Sequence, residues 1–164
     1  MKSILRISLV YLIGLMMLAG CGGGGSSSSP APAASKSTVK LKTEGTLPQG
    51  TELSGIAVTI TLPAGVTVDT VGTDVAAGVV TVSGVASQGG ASVKGAEVYT
   101  PAGAAPGKLE FTIAASNFGT GEFATVKFNV APGSTAPTTT DATILPADQT
   151  LHPVNNLSVV VTPS

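Results

Sequence analysis

The chain has 164 residues, of which 43% are hydrophobic, 10% charged and 4% aromatic, with one cysteine, no tryptophan and a formal charge of −1. Past Lys2 and Arg6 the only cations are Lys36, Lys40, Lys42, Lys94, Lys108 and Lys127; this excludes the basic stripe that nucleic acid requires and a polybasic membrane patch. The apolar content excludes a disordered chain, and abundant Val, Thr and Ile beside scarce Leu, Glu and Arg favour strands over amphipathic helices.

Residues 1–20 open with Lys2 and Arg6 and continue as an uncharged run of 14 residues from Ile7 to Gly20. A spanning helix needs about 20 apolar residues. A positive start, a short apolar middle and small residues at the end are the pattern of a secretory signal. The run closes on Leu18-Ala19-Gly20-Cys21, which contains the only cysteine. These four residues resemble the lipobox of bacterial lipoproteins. The resemblance implies cleavage before Cys21, a diacylglyceryl thioether on its sulfur and palmitate-like acylation of its amino group. Several acyl chains anchor stably where one is marginal, at about 0.8 kcal/mol per buried CH₂. It also implies a place in the bacterial cell envelope, held to the membrane through the lipidated Cys21. Gly22 follows the cysteine without a nearby aspartate, which in a Gram-negative cell resembles cargo passed to the outer membrane.

Residues 21–37 carry four glycines, four serines and then Pro30-Ala31-Pro32-Ala33-Ala34-Ser35 behind the cysteine. This composition is a flexible tether with a typical reach of roughly 20–25 Å.

From residue 38 to 164 the pattern alternates with a period of two, as strands with one buried face do. Val39 and Leu41 alternate with lysines. Ile56, Val58, Ile60 and Leu62 run to the turn Pro63-Ala64-Gly65, after which Val66 and Val68 resume. Val79–Val82, Ser92–Tyr99, Lys108–Ile113 and Phe123–Val130 read as further strands, with weaker ones at Ala142–Leu145 and Leu157–Val161. Ala131–Thr140 is the one stretch where a short helical turn could hide, but its prolines argue for a loop. Short strands punctuated by glycine and proline turns predict an all-β domain, a single antiparallel β-sandwich.

The stretches Gly55–Val68, Gly107–Ala114 and Gly121–Val130 resemble, in strand length and turn placement, the jelly-roll sandwiches of cohesins and carbohydrate-binding modules. An immunoglobulin-like sandwich fits the alternation nearly as well. The cohesin likeness implies a protein-binding or scaffolding role, since cohesins are partners of dockerin modules; the other implies binding of an envelope polysaccharide through aromatic platforms. For the latter, Tyr99 and Phe118 are the candidate contacts, Phe118 because Asn117-Phe118-Gly119 reads as an exposed turn.

Catalytic constellations are sparse. His152 is the only histidine and sits beside Pro153, whereas zinc or general-base sites gather several ligands. No serine has the glycine spacing of a nucleophile elbow. Asp69 and Asp74 flank one loop and are weak calcium candidates, but calcium takes six to eight oxygens and turn aspartates usually bond locally. The expectation is therefore a non-enzymatic, lipid-anchored binding module with no cofactor and no metal.

Overall fold

The computed structural model describes residues 32–164, so that Leu18, Ala19, Gly20, Cys21 and most of the tether lie outside the described residues. In chain order come β1 (Ser35–Gly45), β2 (Leu53–Leu62), β3 (Val66–Thr67), a hairpin of β4 (Thr70–Val71) and β5 (Asp74–Val75), and β6 (Val80–Val82). A short helix, α1 (Gly84–Gln88), precedes β7 (Ser92–Thr100), β8 (Gly107–Phe118) and β9 (Glu122–Val130). A 3-10 turn (Thr139–Asp141) leads into β10 (Ala142–Asp148), and β11 (Leu157–Pro163) closes the chain.

Apart from the β4–β5 hairpin, the strands form two antiparallel sheets packed face to face, the all-β sandwich that the alternation predicts. One sheet runs β10-β2-β8-β7; the other runs β11-β1-β9, with β3 and β6 pairing along different lengths of the far edge of β9. Register follows the apolar pattern, because a one-residue slip would turn every core side chain to water. Ile56 lies opposite Ile113, Val58 opposite Phe111 and Ile60 opposite Leu109. In the other sheet Val39 lies opposite Val126 and Leu41 opposite Ala124. Phe123 and Phe128 are the largest of the fully buried side chains. Each such side chain contributes about 1.5–3 kcal/mol against the entropy of ordering the chain.

One polar side chain joins this core. Thr43 is 1% exposed, and its Oγ1 accepts from the Gly121 amide at 3.0 Å and donates back to the Gly121 carbonyl at 3.3 Å. The Thr43 amide also donates to that carbonyl at 2.9 Å. This clamp sits beside the register shift between Leu41 and Lys42, where β1 bends to meet the turn before β9.

The sandwich has two unlike ends. Chain entry at Ser35, opposite Val130, and the C-terminal Ser164, whose amide bonds the Thr38 carbonyl, share one end. The loops 46–52, 119–121 and 149–151 share the other, roughly 35 Å away along the eleven residues of β1.

Several details depart from the sequence reading. β1 begins at Ser35 rather than residue 38, because Ser35, Lys36 and Ser37 already pair with β9. The helix α1 and the β4–β5 hairpin were not foreseen. The Ala131–Thr140 stretch is a loop up to its last residues, where the Asp141 carboxylate bonds the Thr138 amide at 2.7 Å and hydroxyl at 2.8 Å and closes the 3-10 turn. Phe118 is not a turn residue at all. It ends β8 and is buried.

Candidate functional site

The outward rows of the β10-β2-β8-β7 sheet follow directly from its register. One row reads Leu145, Ala57, Thr112, Lys94; the next reads Thr143, Thr59, Glu110, Val98. Toward the loop-bearing end the row is Ala147, Gly55, Ala114, Ser92. Small residues occupy most of these places, so the face is low and flat. Leu145 stands out of it at 76% exposure and Val98 at 48%. A shallow depression beside Val98 is floored by Ala57, Thr59, Glu110 and Thr112. Leu145 on β10 and Val98 on β7 thus stand at the two borders of a face whose middle is small and polar, and exposed aliphatic side chains of this kind can take part in a protein contact.

The outer face of the other sheet is of a different kind. Lys36, Lys40 and Lys42 point outward from β1 and are matched by carboxylates: Asp69 at 2.6 Å, Glu122 at 3.1 Å and Glu44 at 3.2 Å. Asp69 also accepts from Asn129 Nδ2 at 2.8 Å. That bond, then the Lys36 ammonium, holds the Asp69 carboxyl below the usual aspartate value. Such charge-paired, exposed surface is solvated and contributes little binding energy.

The residues singled out from sequence fall in separate places. Tyr99 lies opposite Leu109 in β7, half-buried with its ring packed against the core. Phe118 is 5% exposed and lies opposite Leu53 at the other end of β8. Nine residues along a strand separate the two levels by roughly 30 Å. They form no joint platform, and the expectation of an exposed Phe118 is corrected: the fold gives its ring to the core. Asp69 is engaged by the Lys36 ammonium and by Asn129, while Asp74 lies opposite Val71 in the β4–β5 hairpin. Among the described residues no group of three or more His, Cys, Asp or Glu is placed to hold a metal ion.

His152 occupies an exposed hairpin turn after β10. Asp148 Oδ1 accepts from the Thr150 amide, the Thr150 hydroxyl and the His152 amide at 2.8, 2.8 and 2.9 Å. These donors, the His152 amide first, hold the Asp148 carboxyl below its usual value. The His152 ring places Nδ1 2.6 Å from Thr150 Oγ1 and 4.0 Å from Asp148 Oδ1. Since the hydroxyl has one proton and gives it to Asp148, Nδ1 is the donor to Thr150. Hydroxyl and carboxylate meet the same ring nitrogen, whereas a triad uses both. The arrangement is a capped turn.

Sequence reasoning missed the aliphatic contacts of the flat face. The signal for Leu145 was available: Ile144 and Leu145 are adjacent apolar residues in an alternating strand, so one of them must face outward. Among the described residues no helix is long and apolar enough to cross a membrane. In comparison with known proteins, no family model, no curated protein and no solved structure matches the chain.

Proposed function

We propose that this chain is a bacterial envelope lipoprotein, anchored through Cys21, whose sandwich acts as a binding or scaffolding module for a protein partner without performing catalysis. The observation that carries the reading is the flat, small-residue outer face of the β10-β2-β8-β7 sheet with Leu145 and Val98 exposed upon it. Backbone rigidity on a four-stranded sheet preorganises such a face, so little ordering entropy opposes docking. The lipobox and the tether supply the setting: an anchored domain with room to turn its faces toward neighbours. The likeness to cohesins points the same way. Polysaccharide binding is the weaker reading, because its two candidate aromatics lie apart and inward.

The test replaces the two aliphatic side chains by Leu145→Asp and Val98→Asp in the full chain. Both sites are exposed, so the fold is retained, and co-purification of envelope proteins with the tagged chain should be lost. Retention of every partner by the double variant, with an unchanged circular dichroism spectrum, would refute the role of this face.

A further inference from the structure

The flat face is too small to act alone. Four strands at about 4.8 Å spacing and about six residues at 3.3 Å give roughly 400 Å², half of the roughly 800 Å² per partner of a standard interface. A contact through this face therefore extends past one of its borders, and the border at β10 carries an unusual feature.

β10 turns back on itself through Gln149-Thr150-Leu151. The Leu151 amide donates to the Asp148 carbonyl at 2.9 Å, and the Asp148 amide donates to the His152 carbonyl at 3.0 Å. That is a three-residue hairpin loop, a turn followed by a residue in the left-handed region, a place ordinarily held by glycine. Here it is held by Leu151, with φ +62°. Every other positive-φ position among the described residues is a glycine. Leu151 is also 79% exposed and takes no part in the core or in the shell packed against it. A leucine at this position opposes folding through its backbone and exposes its side chain to water, and no contact within the described residues offsets either cost. The loop is nevertheless rigid, because three donors converge on Asp148.

We propose that Leu151 is a preformed anchor: an apolar knob at the end of the sandwich remote from the tether, which inserts into a socket on the protein partner. The partner's chemistry follows from what surrounds the knob. Loop 50–52 lies against loop 148–150 and forms a polar depression with Glu52 and Asp148 as its acidic side chains. Glu52 accepts from Gln149 Nε2 at 3.2 Å, and neither carboxylate has a lysine partner among the described residues. The complementary surface is an apolar socket rimmed by lysine or arginine. The inference rests on the protein-binding reading above.

The test places the photoreactive p-benzoylphenylalanine at position 151, and separately at position 145, in the full chain within the envelope of the producing cell. The cross-linked protein is then identified by mass spectrometry, purified and titrated against the native chain, Leu151→Gly and Leu151→Asn. The expected result is a discrete protein adduct at position 151 and at least tenfold weaker binding by both variants. Thermal midpoints should be equal to or above that of the native chain, since glycine and asparagine suit the left-handed backbone. Binding of the native chain should weaken as salt is raised. An adduct at 145 without one at 151 overturns the anchor and leaves the sheet-face reading standing; no protein adduct at either position overturns both. An adduct to lipid or glycan at 151, unchanged affinity of the variants, or a lowered midpoint in Leu151→Gly also overturns the anchor, the last because it would give Leu151 a structural duty.

Discussion

Replacing Thr43 by valine isolates a single buried hydrogen-bonding group at nearly constant shape. In the native fold Thr43 Oγ1 satisfies the Gly121 amide at 3.0 Å, while the Gly121 carbonyl keeps a second donor, the Thr43 amide at 2.9 Å. Thr43→Val thus leaves one donor unpaired, not two. An unsatisfied buried donor costs about 1–3 kcal/mol, and the added methyl returns less than about 1 kcal/mol. The expected net loss is about 1–2 kcal/mol. With a urea dependence of about 1–3 kcal/mol per molar, the midpoint moves down by roughly 0.5–1 M. Urea titration followed by circular dichroism reads that shift, and amide hydrogen exchange reads its origin, since Gly121 should lose protection first. A midpoint equal to or above that of the native chain, with Gly121 protection unchanged, would refute the clamp.

Gly89 follows α1 with ordinary negative φ, but a Cβ there would press into the Asn117 carbonyl and the Phe118 side chain. Gly89→Ala should therefore lose about 1–3 kcal/mol in the same titration, through crowding rather than backbone strain. The Asp148 turn should respond to acid. Its carboxyl is held below the usual value in the folded state, so the stabilisation is complete above the ordinary aspartate pKa and is lost as pH falls through the lowered one. Protection of the Thr150 and His152 amides, taken relative to the intrinsic exchange rate at each pH, should fall only at the acid end, and Asp148→Asn should flatten that response.

The sandwich was legible because β2, the first seven residues of β8 and β9 from Ala124 onward alternate, so their register and core faces follow from period two. Phe118 escaped because the alternation breaks. Leu109, Phe111 and Ile113 face inward at odd positions, but the pairing shifts between Leu53 and Gly55 opposite Ala114 and Phe118, and the inward face passes to an even position. The helix α1 was invisible for another reason: its five residues bury only Ala86 and carry no side-chain cap, too little for a 3.6-residue period to register. Leu151 gave no warning because left-handed positions are read from Gly or Asn, and Gln149-Thr150-Leu151 contains neither. The anchor motif, by contrast, is wholly a matter of sequence.

The proposal that Cys21 anchors the sandwich is addressed directly by one measurement. Cells making the native chain or Cys21→Ala are fed an alkyne-tagged palmitate and fractionated. The account predicts that the native chain is labelled and sediments with membranes, and that Cys21→Ala is unlabelled and leaves the membrane fraction. A variant that still sediments with membranes, or a native chain that takes up no label, would contradict it.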